Sequence, residues 1–248
     1  MKKGKISDTI LGRSVFKLLG KRGNTVKPAY GQDAAHINNQ EKPVLASVAT
    51  GDWAVYRAVN NISAAGGVAD CIMDTVMIDE KSREIRLKEI IKVLDRQCCV
   101  AGVGIAGGHT SVTDKVNSPV VSVTAIGHQE RMQHKAEAGQ DIVVTKHIGM
   151  SGIRTLTDCK RDEILKVYPA DIIDKALDDE SQLLVAKEAE LFMKESKVGA
   201  MHDVSEGGTA RNLVKNKEYV CEWYTGTIYQ DFKMKANVHT FGSLETFT

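Results

Sequence analysis

Blocks of apolar residues alternate with amphipathic segments along the first half of the chain. Four blocks rich in β-branched and apolar residues predict strands: 43–50, 68–78, 102–107 and 118–128. Two segments with apolar residues at helical spacing predict helices: 52–67 and 82–100. The order is β-α-β-α-β-β, and we expect the last two strands to pair as a hairpin. These elements indicate a mixed sheet with helices on one face, an α+β domain that ends near residue 130.

The second half of the chain has a weaker pattern. Residues 138–152, AGQDIVVTKHIGMSG, predict a turn, a strand and a glycine-rich loop. A helix-rich segment follows as far as about Lys197. The stretch 201–213, MHDVSEGGTARNL, then places Ser205 and Glu206 before two glycines, which predicts the start of another helix.

The charge balance excludes some classes of partner. The chain has 33 Lys and Arg against 32 Asp and Glu, so it lacks the basic excess of a general nucleic-acid-binding protein. No apolar run approaches the length of a membrane span, and the N-terminus has no signal-peptide core. We therefore predict a cytoplasmic protein without a nucleic-acid or membrane partner. The five cysteines lack zinc-finger spacing and are expected to be reduced thiols.

Glycines 102, 104 and 107 satisfy the dinucleotide-binding pattern G-x-G-x-x-G. That pattern requires its glycines to leave a strand and open a helix, whose N-terminus holds the pyrophosphate. Here Gly102 and Gly104 begin an apolar strand, and a polar stretch and another strand follow Gly107. The context therefore speaks against a nicotinamide-binding oxidoreductase.

The second half of this stretch, Gly107-Gly108-His109-Thr110, has two interpretations. Two glycines at a strand end let a backbone approach a ligand closely, and the polar residues behind them suit a phosphate or a metal. Alternatively, the glycines only serve a hairpin turn, and His109 is a solvated or hydrogen-bonded loop residue. The sequence pattern by itself leaves both open.

His202 and Asp203 stand before the helix start that contains Gly207 and Gly208. The backbone N–H groups and the dipole of such a helix start favour an anion, so these four residues are candidates for binding a substrate or a phosphate. A neighbouring His and Asp can equally satisfy a buried loop.

Six motifs together resemble one known family. They occur in order along the chain: YGQDAAHI (30–37), AVNNISAAGG (58–67), IAGGHTSVT (105–113), VSVTAIGH (121–128), AGQDIVVTKHIGMSG (138–152) and MHDVSEGGTARNL (201–213). Their order and spacing are similar to those of the aminoimidazole ribonucleotide (AIR) synthase, or PurM-like, superfamily. Within it, the branch that includes the hydrogenase maturation factor HypE is nearest.

The resemblance implies a PurM-like two-domain architecture. Residues 1–133 would form an N-terminal domain whose sheet pairs with that of a second subunit into a β-barrel, and residues 134–248 a C-terminal α+β domain. It also implies a homodimer with ATP at its interface and magnesium held by aspartates, which suits a hard cation that neutralises phosphoryl charge.

The resemblance assigns roles to residues of this chain. Nucleotide contacts fall on Asp33, Asn61 and the stretch 107–110; metal binding falls on Asp33 and Asp52; substrate binding falls on His202, Asp203, Gly207 and Gly208. No catalytic residue is assigned.

The chain departs from the family pattern at three carboxylate positions. It has Gln32-Asp33 where many relatives have two aspartates, Asn60-Asn61 where they have Asn-Asp, and His109 where they have Asp. Imidazole suits transition metals better than magnesium, so we expect weak Mg-ATP binding unless His109 contacts a phosphate directly.

The resemblance ends near residue 213, where relatives continue for about another hundred residues. We therefore expect the second domain to be incomplete or divergent. The HypE-type reaction also uses a cysteine at the extreme C-terminus, whereas this chain ends in Thr248 and its last cysteine is Cys221.

Two functional hypotheses follow from the resemblance. The first is an ATP-dependent protein that activates a small substrate or a carrier group by phosphorylation, as in a HypE-like maturation pathway. The second is a dimeric scaffold or assembly protein of the same superfamily that has lost catalysis, which the missing carboxylates favour.

Overall fold

The computed structural model describes residues 35–37, 42–132, 142–147, 149–204 and 238–241. The first half of the described chain contains five strands and two helices. In chain order they are β1 (Ala35–Ile37), β2 (Val44–Thr50), α1 (Ala54–Ala64), β3 (Gly67–Asp79), α2 (Glu84–Ala101), β4 (Gly104–Thr113) and β5 (Val120–Gln129). The helices and strands predicted from the sequence are confirmed within a few residues, except that β4 continues six residues beyond its predicted end.

The strands form one mixed sheet in the order β1-β2-β5-β3-β4. β5 lies between β2 and β3 and is antiparallel to both, whereas β4 is parallel to β3 at the edge. The predicted hairpin between the last two strands is therefore wrong, although the α+β class is confirmed. β5 has a buried residue at every second position from Val123 to Gln129 and suits a central position, while the Gly-, Ser- and Thr-rich β4 is mostly exposed.

Both helices cover the same face of this sheet. The apolar residues Val55, Val59 and Ile62 of α1 recur at helical spacing and are almost fully buried. They pack over Leu45 of β2 and Val123 of β5, which alternate with residues of the opposite face. Each such buried side chain contributes about 1.5–3 kcal/mol to the free energy of folding. The core therefore lies between α1, α2 and one side of the sheet.

The opposite face of the sheet has no covering element within the described residues; we call it the open face. Its exposed apolar side chains come from three strands. Val48 and Met73, on either side of Thr124, expose 62% and 46% of their surface, and Val68 and Val120 are also exposed. Exposed apolar side chains grouped on one face are typical of a surface that contacts another element or molecule.

The second half of the described chain is mainly helical. Its elements are β6 (Ile142–Thr145), α3 (Met150–Ile164), α4 (Ala170–Leu177), a 3-10 turn (Glu180–Leu183), α5 (Ala186–Lys194) and β7 (Val238–Phe241), the last of which pairs in parallel with β6. The strand and the helix-rich segment predicted after residue 138 are thereby confirmed. The division into domains 1–133 and 134–248 stays a prediction. None of the described helices combines the length and the apolar character that a membrane span requires.

One face of α1 joins the two halves. The Asn60 side chain donates to the carbonyl oxygen of Leu183 at 2.7 Å and accepts from the Val185 N–H at 2.9 Å. One turn earlier, the buried Tyr56 hydroxyl donates to Glu180 at 2.8 Å. Burial, and then the hydrogen bond to Glu180, raise the pKa of Tyr56. These bonds satisfy polar groups that would otherwise be costly to bury.

A polar network lies at one end of the open face. His128 Nδ1 lies 2.9 Å from an Asp70 carboxylate oxygen, and His128 Nε2 lies 2.8 Å from Glu130. Glu130 also accepts from Lys42 at 2.6 Å. The hydrogen bond to Asp70 raises the pKa of His128, and the one to Glu130 adds to this, whereas partial burial and the Lys42 charge oppose it. Protonated His128 can donate to both carboxylates at once.

We expect this network to make stability depend on pH. Because the folded pKa of His128 is raised, its contribution is fully present below the unfolded value of about 6.5 and is lost as pH rises through the folded pKa. The pair is partly exposed, so the contribution is about 0.2–1 kcal/mol. As pH rises from 6 to 8, the free energy of unfolding measured in urea should fall less for His128→Asn than for the wild type. The matched control, exposed His147→Asn, should keep the wild-type slope; an unchanged slope in His128→Asn would contradict the prediction.

Candidate functional site

A row of polar side chains crosses the open face at one level. It runs from β2 to β4 through register partners: Thr50, Ser122, Thr75 and His109. Directly opposed residues in paired strands point to the same side of a sheet, so these four side chains line one face. We call them the polar row. Val48 and Met73 lie on one side of it and Val120 and Met77 on the other, so apolar side chains flank the row on both sides.

The stretch Gly107-Gly108-His109-Thr110 lies inside β4 and not at a strand end, which corrects the predicted position. β4 pairs with β3 as far as Thr113, so the segment predicted as a polar loop is an edge strand. Successive residues then point to opposite faces. Gly107 and His109 belong to the open face, whereas Gly108 and Thr110 belong to the helix side.

The two glycines consequently have different roles. At Gly107 an added Cβ would meet nothing within 4 Å, so the backbone on the open face is free for a ligand to approach. At Gly108 an added Cβ would overlap the carboxylate of Asp74 and lie 2.7 Å from its backbone oxygen. Gly108 is therefore required by the packing of Asp74, and its role in nucleotide binding stays a prediction.

Asp74 is a half-buried carboxylate on the helix side of β3. Burial raises its pKa.

Burial also raises the pKa of Cys98 on α2 to about 11, and the charges of Asp95 and Asp74 add to the effect. This thiol is therefore protonated at neutral pH and is not a nucleophile. The four described cysteines are free thiols, in agreement with the sequence.

Asn61 does not join His109 in one site within this chain. Its side chain donates to Ser47 Oγ at 2.8 Å, between α1 and the helix side of β2. Thr110 is also on the helix side, as the register partner of Val76. Of the residues predicted to contact a nucleotide, Gly107 and His109 alone are placed together on the open face by the described structure.

The metal assignment is not supported by a cluster in the described residues. Asp52 is exposed in the turn between β2 and α1, and its backbone oxygen accepts from the Gln97 side chain at 2.6 Å. Among the residues that the structure describes, no group of three or more His, Cys, Asp and Glu side chains is placed to hold a metal ion. Asp33 lies outside the described residues, so its role in binding metal and nucleotide stays a prediction.

His202 and Asp203 are close neighbours in a largely buried stretch. His202 Nδ1 lies 2.8 Å from the backbone oxygen of Asp203 and 3.5 Å from its Oδ1. The geometry agrees with a histidine and an aspartate that satisfy a buried loop, and their substrate role stays a prediction. Gly207 and Gly208 lie outside the described residues.

The structure adds site residues that sequence reasoning missed. Thr50, Ser122 and Thr75 become candidates because their strands are neighbours in the sheet. The alternation of side chains along each strand places these three residues on the face away from the helices. Their proximity to His109 depends on the strand order, which could be predicted only if β5 were recognised as the central strand.

The glycine pattern 102–107 is not a dinucleotide site. Gly102 ends α2 in the left-handed conformation, with a φ of 69°, and Gly104 begins β4. The residues after Gly107 continue the strand. The helix that would hold a pyrophosphate is replaced by an edge strand, which removes the nicotinamide hypothesis.

Comparison with protein families identifies this architecture. The five-stranded mixed sheet with two helices on one face corresponds to residues 31–129, which match the family described as "AIR synthase related protein, N-terminal domain". This match covers 99 of the 248 residues and agrees with the resemblance to the AIR synthase superfamily that the sequence motifs predicted. A comparison with curated proteins found no significant match.

Solved structures share the fold at low identity. The complex of ThiL with AMPPCP and TMP has a TM-score of 0.60 and 18% identity, with 75% of this chain and 64% of that chain covered. HypE in the HypE–HypF complex has a TM-score of 0.56 and 20% identity, with 75% and 63% covered. HypE of E. coli, a hydrogenase maturation protein, has a TM-score of 0.53 and 14% identity, with 70% and 57% covered. The chain thus spans less than two thirds of these proteins, and the likeness is one of fold.

Replacement of Gly108 tests its structural role. We expect Gly108→Ala to lower the free energy of unfolding by about 1–3 kcal/mol, because the new methyl group would overlap Asp74. Gly104→Ala on the same strand is the matched control, since nothing lies within 4 Å of its added Cβ. Urea denaturation measures both. Equal stability of the two variants would contradict the assignment, whereas partial recovery in Gly108→Ala with Asp74→Ala would support it.

Proposed function

We propose that the chain binds ATP on the open face of its sheet, as a homodimeric, AIR synthase-related protein. The observation that carries this proposal is the polar row, flanked by exposed apolar side chains on a face that no described element covers. Gly107 leaves the backbone approachable beside His109, whose imidazole can donate to a phosphate oxygen. The fold neighbour ThiL was solved with AMPPCP, an ATP analogue.

Magnesium would contribute less to this site than in relatives with aspartates. The position of the family aspartate on β4 holds the neutral or cationic His109, and Asn61 is engaged by Ser47 on the other side of the sheet. Magnesium prefers carboxylate oxygens, so His109 in a direct phosphate contact suits this chain better. Asp33 and Asp52 are the carboxylates proposed to bind any metal.

The acceptor of an activated phosphoryl group would be a small molecule or a carrier protein. HypE occurs in a complex with HypF, which favours a protein partner in a HypE-like maturation pathway. His202, Asp203, Gly207 and Gly208 are proposed to bind the substrate, because a helix start beside a histidine suits an anion. The proposed domains are 1–133 for the nucleotide and the dimer and 134–248 for the substrate. The cytoplasmic location stays a prediction.

A catalytically inactive scaffold is the second candidate. The observation in its favour is the use of Asn61 in a structural hydrogen bond to Ser47, at a position where relatives carry an aspartate. A scaffold of this kind would keep the dimer but would not turn over ATP. Phosphate release from ATP by the purified chain separates the two candidates.

Restoring a carboxylate on the polar row should restore a dependence on magnesium. We expect ATP to raise the unfolding temperature of the wild type with little effect of Mg²⁺, and His109→Asp to bind Mg-ATP about tenfold more tightly than ATP alone, a gain of about 1.4 kcal/mol. Isothermal titration calorimetry measures both affinities.

Ser111→Asp is the matched control for this experiment. Ser111 is the next β4 residue on the open face, and its substitution adds the same charge outside the polar row. It should show no gain with Mg²⁺. Equal gains in both variants, or no binding of ATP by any of the proteins, would overturn the proposed site.

A charge on the open face should dissociate the proposed dimer. Val48→Glu would bury a carboxylate in an apolar interface, so we expect the dimer dissociation constant to rise at least about tenfold. Val112→Glu is the control, because Val112 is similarly exposed, at 69%, but lies on the helix side of the edge strand. Sedimentation equilibrium measures both, and a wild type that is monomeric at micromolar concentration would refute the dimer.

A further inference from the structure

A buried arginine without a hydrogen-bond partner lies where α3 meets the start of α1. Arg154 of α3 is 4% exposed, and its guanidinium carbon lies 5.7 Å from the ring centre of Trp53. Its Nε and Nη2 atoms are buried and have no hydrogen-bond partner in the described structure. A buried guanidinium normally requires such partners, because its desolvation costs several kcal/mol.

The two unpaired nitrogens form one edge of the guanidinium. The hydrogen on Nε and one hydrogen on Nη2 point in the same direction, so this edge presents two parallel donors. Two parallel donors match the two oxygens of a carboxylate or of a phosphate group. The cation–π contact with Trp53 involves the ring and the guanidinium charge, and it gives no hydrogen-bond acceptor to this edge.

The surroundings of Arg154 also favour an anion. Both α1 and α3 begin without a side-chain cap and without an acidic residue in the first turn. Helical side chains lean toward the N-terminus, so Arg154 leans toward the positive start of α3, while Trp53 is the N-cap residue of α1. The contact of Arg154 with Trp53 therefore lies at the uncapped start of α1.

Carboxylates close to this contact are already engaged or do not pair with it. Glu180 accepts from the Tyr56 hydroxyl at 2.8 Å and pairs with Arg96 at 3.0 Å. Asp52 precedes Trp53 but forms no ion pair with Arg154 within the described chain. Among the residues that the structure describes, no carboxylate pairs with Arg154, so its positive charge is available to a ligand.

We propose that Arg154 and Trp53 form a binding site for the oxyanion of a small ligand, a carboxylate or a phosphate group. Arg154 Nε and Nη2 donate to two oxygens of the ligand, and Trp53 holds the guanidinium plane in place. The site is separate from the polar row and does not rest on the proposed nucleotide function. Because both nitrogens are buried, α3 and Trp53 must separate slightly to admit the ligand, so binding is coupled to the junction between the two halves.

Anion titrations of the full chain test this site. Sodium phosphate and sodium acetate are titrated separately at constant ionic strength, with thermal unfolding and tryptophan fluorescence as readouts. We expect a saturable rise in unfolding temperature and a saturable fluorescence change with at least one of them. A response to phosphate alone assigns a phosphate-bearing ligand, and a response to acetate alone a carboxylate-bearing one. A small, non-saturating response to both anions would overturn the proposal.

Two variants of Arg154 and one control make the test specific. Arg154→Lys keeps the charge but loses the two-donor edge, and we expect at least tenfold weaker anion binding. Arg161→Lys on the same helix, whose arginine is exposed and paired with Asp174, should bind within twofold of the wild type. Equal weakening in both variants would overturn the site, whereas the binding of ATP should be unchanged in Arg154→Lys.

Arg154→Met tests the proposed anion site if the lysine variant fails to fold. Without an added anion, replacing an unpaired buried cation by an apolar side chain should leave the unfolding temperature unchanged or higher. With a saturating anion, the wild type should gain stability and the methionine variant should not. If the methionine variant is destabilised by the same amount in both buffers, Arg154 is a packing residue and the proposed site does not exist.

Discussion

The packing of α1 across β2, β5 and β3 is the constraint on which the rest of the structure depends. It buries Leu45, Val123 and the apolar stripe of the helix on one side of the sheet. Because all apolar cover in the described first half lies on that side, the other side keeps exposed valine and methionine side chains. The open face is thus a direct result of how the core is built, and it is there that the polar row becomes available to a ligand or a second subunit.

The local pattern of the sequence predicted the elements but could not predict their order. The positions of α1 and α2 follow from apolar spacing within each segment, which depends only on neighbours along the chain. The place of β5 depends on which strands flank it, and this is decided by burial between distant segments. A hairpin of consecutive strands was the simplest expectation. In the structure, β5 has regularly buried residues and pairs on both sides, whereas β4 has few apolar residues to bury and lies at the edge.

The same distinction explains the candidate site. The residue types at 107–110 indicated a ligand, but their separation into two faces follows from β4 being a strand and not a loop. Gly108 then belongs to the packing of Asp74, and Thr110 to the helix side. No sequence motif could have shown this, because the sequence does not distinguish a glycine that makes room for a ligand from one that makes room for a neighbouring side chain. The polar row was hidden for a similar reason, since its members come from four strands.

α1 links the core side of the sheet to the second half of the chain. Its inner stripe fixes the sheet, while Trp53, Tyr56 and Asn60, at successive turns, contact Arg154, Glu180 and the segment before α5. A ligand at Arg154 would act on the first of these contacts and leave the other two in place. Thr50 of the polar row is only three residues before Trp53, but its side chain lies on the face of the sheet that α1 does not cover. The two proposed sites therefore lie on opposite sides of the sheet, which is why a ligand at Arg154 is expected to leave the binding of ATP unchanged.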